Sequence, residues 1–245
     1  DALPISSWGP DAQDIAHLQS ICFEAWIDEQ LQAPVSLHAA STDASNNLSP
    51  QQAEFLNQAI NGADPLRQRV AFALGQIFVV SGFKTGQPRQ MVPFQNILRA
   101  GAFGSYSNLV REVTLSPTMG MYLDMAFNVK ANPTLGTVAN ENYARELLQL
   151  FSIGTILLNA DGTPQLDSFG QTIPSYDQAV LGEMSRAFTG WTFPGPALTQ
   201  GYNPENYVGP MQPVEVNHDA GAKVILGGVE LPAGQGAWAD LEMTL

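Results

Sequence analysis

The chain has 245 residues, 44% of them hydrophobic, and sets 10 Lys plus Arg against 23 Asp plus Glu, for a formal net charge of −13. That is enough apolar material for a sizeable core, as one large domain or two small ones, while the acidic balance repels nucleic acid and anionic membrane surfaces. No segment approaches the roughly 18 uninterrupted apolar residues of a membrane helix, so composition argues against both a nucleic-acid role and a membrane span.

The chain opens at Asp1 without Met and without a basic-then-apolar leader, which reads as a processed or truncated product. Residues Asp11 to Gln32 carry Ile15, Leu18, Ile21, Cys22, Trp26 and Leu31 at near-helical spacing, with Pro10 just ahead as a start signal. Cys22 is the only cysteine, so no intrachain disulfide is possible, and its apolar setting predicts a small buried hydrophobe. The polar stretch Ala33 to Ser49 predicts a loop. Helical patterns follow at Pro50–Ile60, Pro65–Val80, Gln90–Ala100, Tyr106–Leu115 and Met119–Met125. Asp64-Pro65 reads as a cap followed by proline at the first helical position. Phe72, Ile77, Phe78 and Val80 make the Pro65–Val80 helix apolar nearly all round, which predicts a central place in the core.

The run from Asn140, Asn-Glu-Asn-Tyr-Ala-Arg-Glu-Leu-Leu-Gln-Leu-Phe, puts Ala144, Leu147, Leu148 and Phe151 on one helical face. Asn140 is the natural N-cap. Glu141 and Arg145 stand four apart in the favourable acid-first order, and Glu146 lines up with Asn142 in a second polar row. Two readings fit. One is a capped helix with a surface ion pair worth a few tenths of a kcal/mol. The other turns Arg145 and Glu146 inward into a buried network, where losing one partner costs about 3–5 kcal/mol.

Beyond Phe151, Thr155–Leu158 favours β structure and Asp161-Gly162 signals a turn, so a small hairpin is expected. An amphipathic helix over Tyr176 to Thr189 ends in Gly190-Trp191, and Phe193 to Met211 predicts a long irregular excursion. The fold class expected is mainly α: an irregular multi-helix domain over 1–245, with a small β-hairpin, long loops in the C-terminal third and 193–245 as a loop-rich extension.

For chemistry, His218-Asp219 precedes Gly221 and Lys223, and a histidine beside a carboxylate can act as base or ligand. The same pair equally suits a loop-stabilising histidine. Joined to Glu141 and Glu146, it would offer one nitrogen and three carboxylates, a mixture able to hold a divalent metal. His17 reads as a helix-surface residue and His38 as a loop residue. Asn159-Ala-Asp-Gly-Thr has its Gly at the fourth place rather than the sixth, so a β-turn is expected rather than a calcium loop. No Gly-x-Ser-x-Gly elbow occurs, and the residues name no cofactor.

Five strings stand in order: Pro65-Leu-Arg-Gln-Arg-Val-Ala-Phe-Ala-Leu, Leu115-Ser-Pro-Thr-Met-Gly-Met-Tyr-Leu, Glu141-Asn-Tyr-Ala-Arg-Glu-Leu, Phe188-Thr-Gly-Trp and His218-Asp-Ala-Gly-Ala-Lys. Together they resemble the bacterial domain of unknown function 1800 family, over nearly the whole chain. The resemblance implies a larger exported protein of which this chain is an incomplete, N-terminal part. It implies no established activity. The frequent genetic neighbourhood of such proteins with a sulfatase-like family implies a paired extracytoplasmic role.

Two functions of different class are therefore expected as alternatives. The first is a non-catalytic extracytoplasmic binding or assembly module, meeting another extracytoplasmic protein such as a sulfatase-like one. The second is a hydrolase-like enzyme, metal-assisted or not, drawing on Glu141, Arg145, Glu146, His218 and Asp219.

Overall fold

The computed structural model describes Gly9 and residues 11–245, so Pro10, the expected start signal, lies outside the described residues. The described chain is mainly α-helical, with two small two-stranded antiparallel sheets. None of its helices is long and apolar enough to cross a membrane. It divides into two compact units, Asp1–Val113 and Thr114–Leu245.

In the first unit, α1 (Ala12–Gln32) opens on a capping box in which Asp11 and Asp14 each accept the other's backbone N–H. Cys22 leaves helical geometry at φ 69° and ψ 167° and is exposed. The buried position expected for it fails because this kink turns the thiol off the apolar stripe; Trp26 and Gln30 are the residues α1 buries. His17 does lie on the helix surface, 2.7 Å from Glu29.

After the irregular stretch 33–48 come α2 (Ser49–Asn61), α3 (Pro65–Gly75), α4 (Pro88–Gly101) and α5 (Tyr106–Leu115), whose last two residues open the second unit. α3 packs against both α2 and α4. It stops well short of Val80. Gly75 weakens the helix, and tight turns take over, with the Ile77 N–H bonded to Leu74 O at 3.0 Å. Ile77 and Val79 are consequently exposed while Phe78 is fully buried. Asp64 makes no side-chain cap either. Its carboxylate instead accepts from the Ser36 N–H at 2.9 Å and from Gln68 Nε2 at 3.2 Å.

This diversion belongs to a buried polar network that the sequence pattern did not announce. Arg99 is 2% exposed. It donates from Nε to Gln68 Oε1 at 2.8 Å and lies with Nη2 2.6 Å from His38 Nε2. Its carbonyl accepts from Arg67 Nη1 at 3.2 Å, and the Arg67 guanidinium stacks 4.3 Å over the Phe103 ring. Asn96 holds the His38 backbone by both its N–H and its C=O. His38, expected as an ordinary loop residue, is thus a buried strut.

Burial, with Arg99 beside it, pulls the His38 imidazole down to about 4, against a weaker opposing pull from Glu54. Because its folded value lies below the ordinary 6.5, the unfolded chain takes up a proton here first. The associated stability is present above pH 6.5 and is lost as pH falls toward 4. We expect urea unfolding of His38→Gln to depend less steeply on pH between those limits than the wild type, by at most about 3 kcal/mol; parallel pH profiles would refute a titrating His38.

The second unit continues with α6 (Pro117–Tyr122), which ends earlier than the expected Met125. Asp124 and Phe127 take positive φ of 61° and 66°, and the Ala126 N–H turns back to Gly120 O at 3.0 Å. There follow α7 (Asn142–Gln149), α8 (Gln178–Ala187), β1 (Trp191–Thr192), β2 (Gln212–Pro213), a 3₁₀ turn at Glu215–Asn217, β3 (Lys223–Val224), β4 (Glu230–Leu231) and α9 (Ala237–Thr244). β1 pairs with β2, and β3 with β4. α8 packs against α7, α9 and β3.

The predicted apolar face of α7 is the one buried, comprising Ala144, Leu147, Leu148 and Phe151. Trp191 is fully buried and meets Trp238 edge-on with ring centroids 4.9 Å apart. The 193–211 excursion lies on the body through Phe193, Tyr207 and Met211, and buried Asn203 ties it down with bonds to Phe193 O at 2.9 Å and Thr192 Oγ1 at 3.1 Å.

Between α7 and α8, the expected hairpin is part of a larger motif. Antiparallel bridges join Ile156 to Pro174, Leu158 to Pro164 and Leu166 to Thr172, so each of three short segments pairs with the other two. Asn159–Gly162 forms the expected turn, closed by the Gly162 N–H on Asn159 O at 2.9 Å, with Gly162 at φ +82°.

Candidate functional site

The residues singled out by sequence fall into two clusters in the second unit. At the start of α7, the Asn140 side chain accepts the Asn142 N–H at 2.8 Å, while Glu141 occupies the cap position without a capping bond from its own side chain. Asn140 is held in turn by Asn128, whose side chain bonds both its N–H at 2.8 Å and its C=O at 3.1 Å. Arg145 Nη2 donates to Glu141 Oε2 at 2.9 Å, and Gln178 Nε2 from α8 reaches Glu141 Oε1 at 2.8 Å. The Arg145 and Glu141 side chains are 43% and 32% exposed. Glu146 is half-buried. This is the solvated ion pair of the first reading, and its worth stays within a few tenths of a kcal/mol.

The second cluster is dry. His218 leaves the 3₁₀ turn with its side chain inside the core, where Nδ1 lies 2.9 Å from Thr189 O and Nε2 lies 3.1 Å from Asp240 Oδ2. A carbonyl only accepts, so Nδ1 carries the donated proton. Lys223 Nζ donates to the same Asp240 oxygen at 2.5 Å, to Gly221 O at 3.0 Å and to Asp219 O. The side chains of His218, Asp240 and Lys223 are between 0% and 1% exposed. One carboxylate on α9 therefore faces a lysine from β3 and the histidine that follows the 3₁₀ turn, and the three elements are fastened at one oxygen.

Asp219 points the other way. Arg186 of α8 grips it with Nε–Oδ2 at 2.9 Å and Nη2–Oδ1 at 3.1 Å, and also reaches Glu183 at 2.6 Å. The bond from Arg186 holds the Asp219 carboxyl below the usual carboxylate range, and the same bond raises the guanidinium. Thr189 links the two sides: its Oγ1 donates to Arg186 O at 2.7 Å and accepts the Asp219 N–H at 2.9 Å. Gly221 fits here because a Cβ would stand 2.5 Å from Arg186 Nη2.

The side chains of His218 and Asp219, adjacent in sequence, are thus held by different partners, Asp240 and Arg186, and neither hydrogen-bonds Glu141 or Glu146. Among the described residues, no group of three or more His, Cys, Asp or Glu is placed to hold a metal ion. Sequence reasoning missed Asp240 and Arg186, and gave Thr189 no role. Lys223 and Thr189 stood within quoted strings, whereas Asp240 lies far downstream in the stretch read as a loop-rich extension, with no local signal. Chemically, the arrangement crosslinks loops: the bonding capacity of His218 and Lys223 is spent inside the protein.

Searches of curated proteins and of solved structures returned no match. A family model described as "Protein of unknown function (DUF1800)" matches residues 2–244. The chain, with its buried His218–Asp240–Lys223 fastening and its capped α7, belongs to that family.

Proposed function

We propose that this protein is a non-catalytic, extracytoplasmic binding or assembly module. The observation that carries the reading is the three-segment motif between α7 and α8. Its three segments are joined pairwise by antiparallel bridges and its Asn159–Gly162 turn is closed, yet Leu158, Leu166 and Phe169 are 50%, 57% and 86% exposed. Ordered backbone presenting large apolar side chains to water marks an interaction surface more often than a substrate cleft. The internal saturation of His218 and Lys223 supports the same choice, since a general base must reach a substrate proton.

The partner we infer is a second extracytoplasmic protein, sulfatase-like in kind. Co-expression with that neighbour, followed by purification through a tag on one chain, is expected to recover both. The Leu166→Asp/Phe169→Asp double variant is expected to abolish recovery while leaving the melting temperature within about 1–2 °C, because both positions are solvated. Undiminished recovery with the double variant would remove the motif from the interface. Turnover lost on Glu146→Gln in a folded protein would overturn the non-catalytic reading itself.

A further inference from the structure

The first unit holds a cleft of about 250 Å³, walled by Phe55, Phe72, Phe78, Phe94 and Leu98 and reaching Arg99. Its small size suits a ligand below the usual drug-sized range of about 300–1,000 Å³. Seven of its lining residues carry aromatic or branched apolar groups, so the body of an occupant would be apolar. Among the described residues that line it, Arg99 is the one cation.

That cation is unusual in its pairing. Its Nε is taken by Gln68 and its Nη2 by His38, both uncharged partners at the value His38 takes, and among the described residues none bonds Nη1. Among the described residues no carboxylate lies within ion-pair distance of it. Asp64 and Glu54 act on it only through space, and Asp64 is committed to Ser36 and Gln68. Desolvation lowers the guanidinium to about 10, so it remains charged at neutral pH. A buried unpaired charge is costly, and an incoming anion would offset that cost. The His38 Nδ1 is buried without a partner, and His38 lines an adjoining cleft that shares Gln51 with the first.

We propose that this cleft binds a small carboxylate with an apolar body, its oxygens on the Arg99 guanidinium and its chain among the Phe55, Phe72 and Phe94 rings. A guanidinium presents paired donors matched to a carboxylate, and the aromatic wall excludes the water that would compete. This binding is independent of the exposed motif proposed above to meet a partner protein.

The test is calorimetric titration of the whole protein with octanoate and, separately, with 1-octanol. Octanoate is expected to bind, and octanol, with the same body and no charge, roughly 10- to 100-fold more weakly. Arg99→Leu is expected to erase the preference. Because that variant can fail to fold, Gly75→Leu provides a second line: a Cβ there meets only Leu98 Cδ1, at 3.6 Å, so the fold is kept while the larger side chain fills the cleft. Loss of octanoate binding in folded Gly75→Leu supports the site. Equal affinity for the two probes, no binding of octanoate at millimolar concentration, or unchanged binding in Gly75→Leu would overturn it.

Discussion

Asp240→Ala is expected to be among the most damaging single substitutions in this protein, lowering stability by about 3–5 kcal/mol. Asp240 Oδ2 is the meeting point of Lys223 Nζ at 2.5 Å and His218 Nε2 at 3.1 Å, and all three side chains are sealed from water. Removing the carboxylate strands a buried ammonium whose remaining acceptors are the carbonyls of Asp219 and Gly221. For a chain of this length the loss corresponds to a fall of roughly 6–20 °C in melting temperature. Placing Lys223→Met in the Asp240→Ala background should recover part of the loss, because it deletes the charge left unpaired. Calorimetric melting of the single and double variants measures both effects. A double variant less stable than the sum of its singles would contradict the assignment of the damage to an orphaned charge.

Gly190→Ala is expected to cost about 2–5 kcal/mol, from backbone strain and overpacking together. Gly190 sits at φ +90°, and a Cβ there would lie 2.9 Å from His218 Cβ and 3.0 Å from His218 Cα. Neither neighbour can rotate away, since both are fixed by the backbone. Gly190 also bridges Asn128 O through its N–H at 2.8 Å and the Val214 N–H through its C=O at 2.7 Å, so a shift to relieve the clash would loosen both bonds. Gly162→Ala is the matched control, because Gly162 has φ +82° with nothing within 4 Å of a Cβ and bears the conformational strain alone. Chemical unfolding of the two variants should separate them by about 1–3 kcal/mol; equal losses would mean that the His218 contact exerts no constraint.

The two substitutions touch the same place from opposite sides, which says how the second unit is tied. In the sequence Gly190-Trp191 read as the end of a helix and His218-Asp219 as a pair that could serve base, ligand or loop, each within a string shared with the family but with nothing to relate the two. The close approach of Gly190 to His218 makes that glycine necessary and aims the imidazole at Asp240. Asp219, the sequence neighbour that suggested a His–carboxylate partnership, is instead held by Arg186. Adjacent residues on an extended backbone point to opposite sides, so a contiguous pair is poor evidence for a shared site.

Helical periodicity carried well where the burial was one-sided. Ala144, Leu147, Leu148 and Phe151 recur at helical spacing and all are buried, because a stripe repeating every 3.6 residues has one face to hide. The same reasoning overran at α3, whose apolar run continues to Val80 although the helix stops at Gly75. Hydrophobicity alone does not mark where backbone bonding changes. It also misplaced Cys22, since a local break at φ 69° rotates the residues after it out of register with those before.

What the sequence by itself determined is the helical class, the order of the helices, the buried face of α7, the Asn159–Gly162 turn and membership of the family, because each rests on local spacing or on strings read in order. Tertiary structure alone decided which charges are buried and against what. Arg99 and His38 are 61 residues apart and His218 and Asp240 are 22 apart, separations at which no helical or strand period relates two side chains. Their pairing follows from how helices and loops close around them, and desolvation then turns ordinary polar residues into the buried fastenings of each unit.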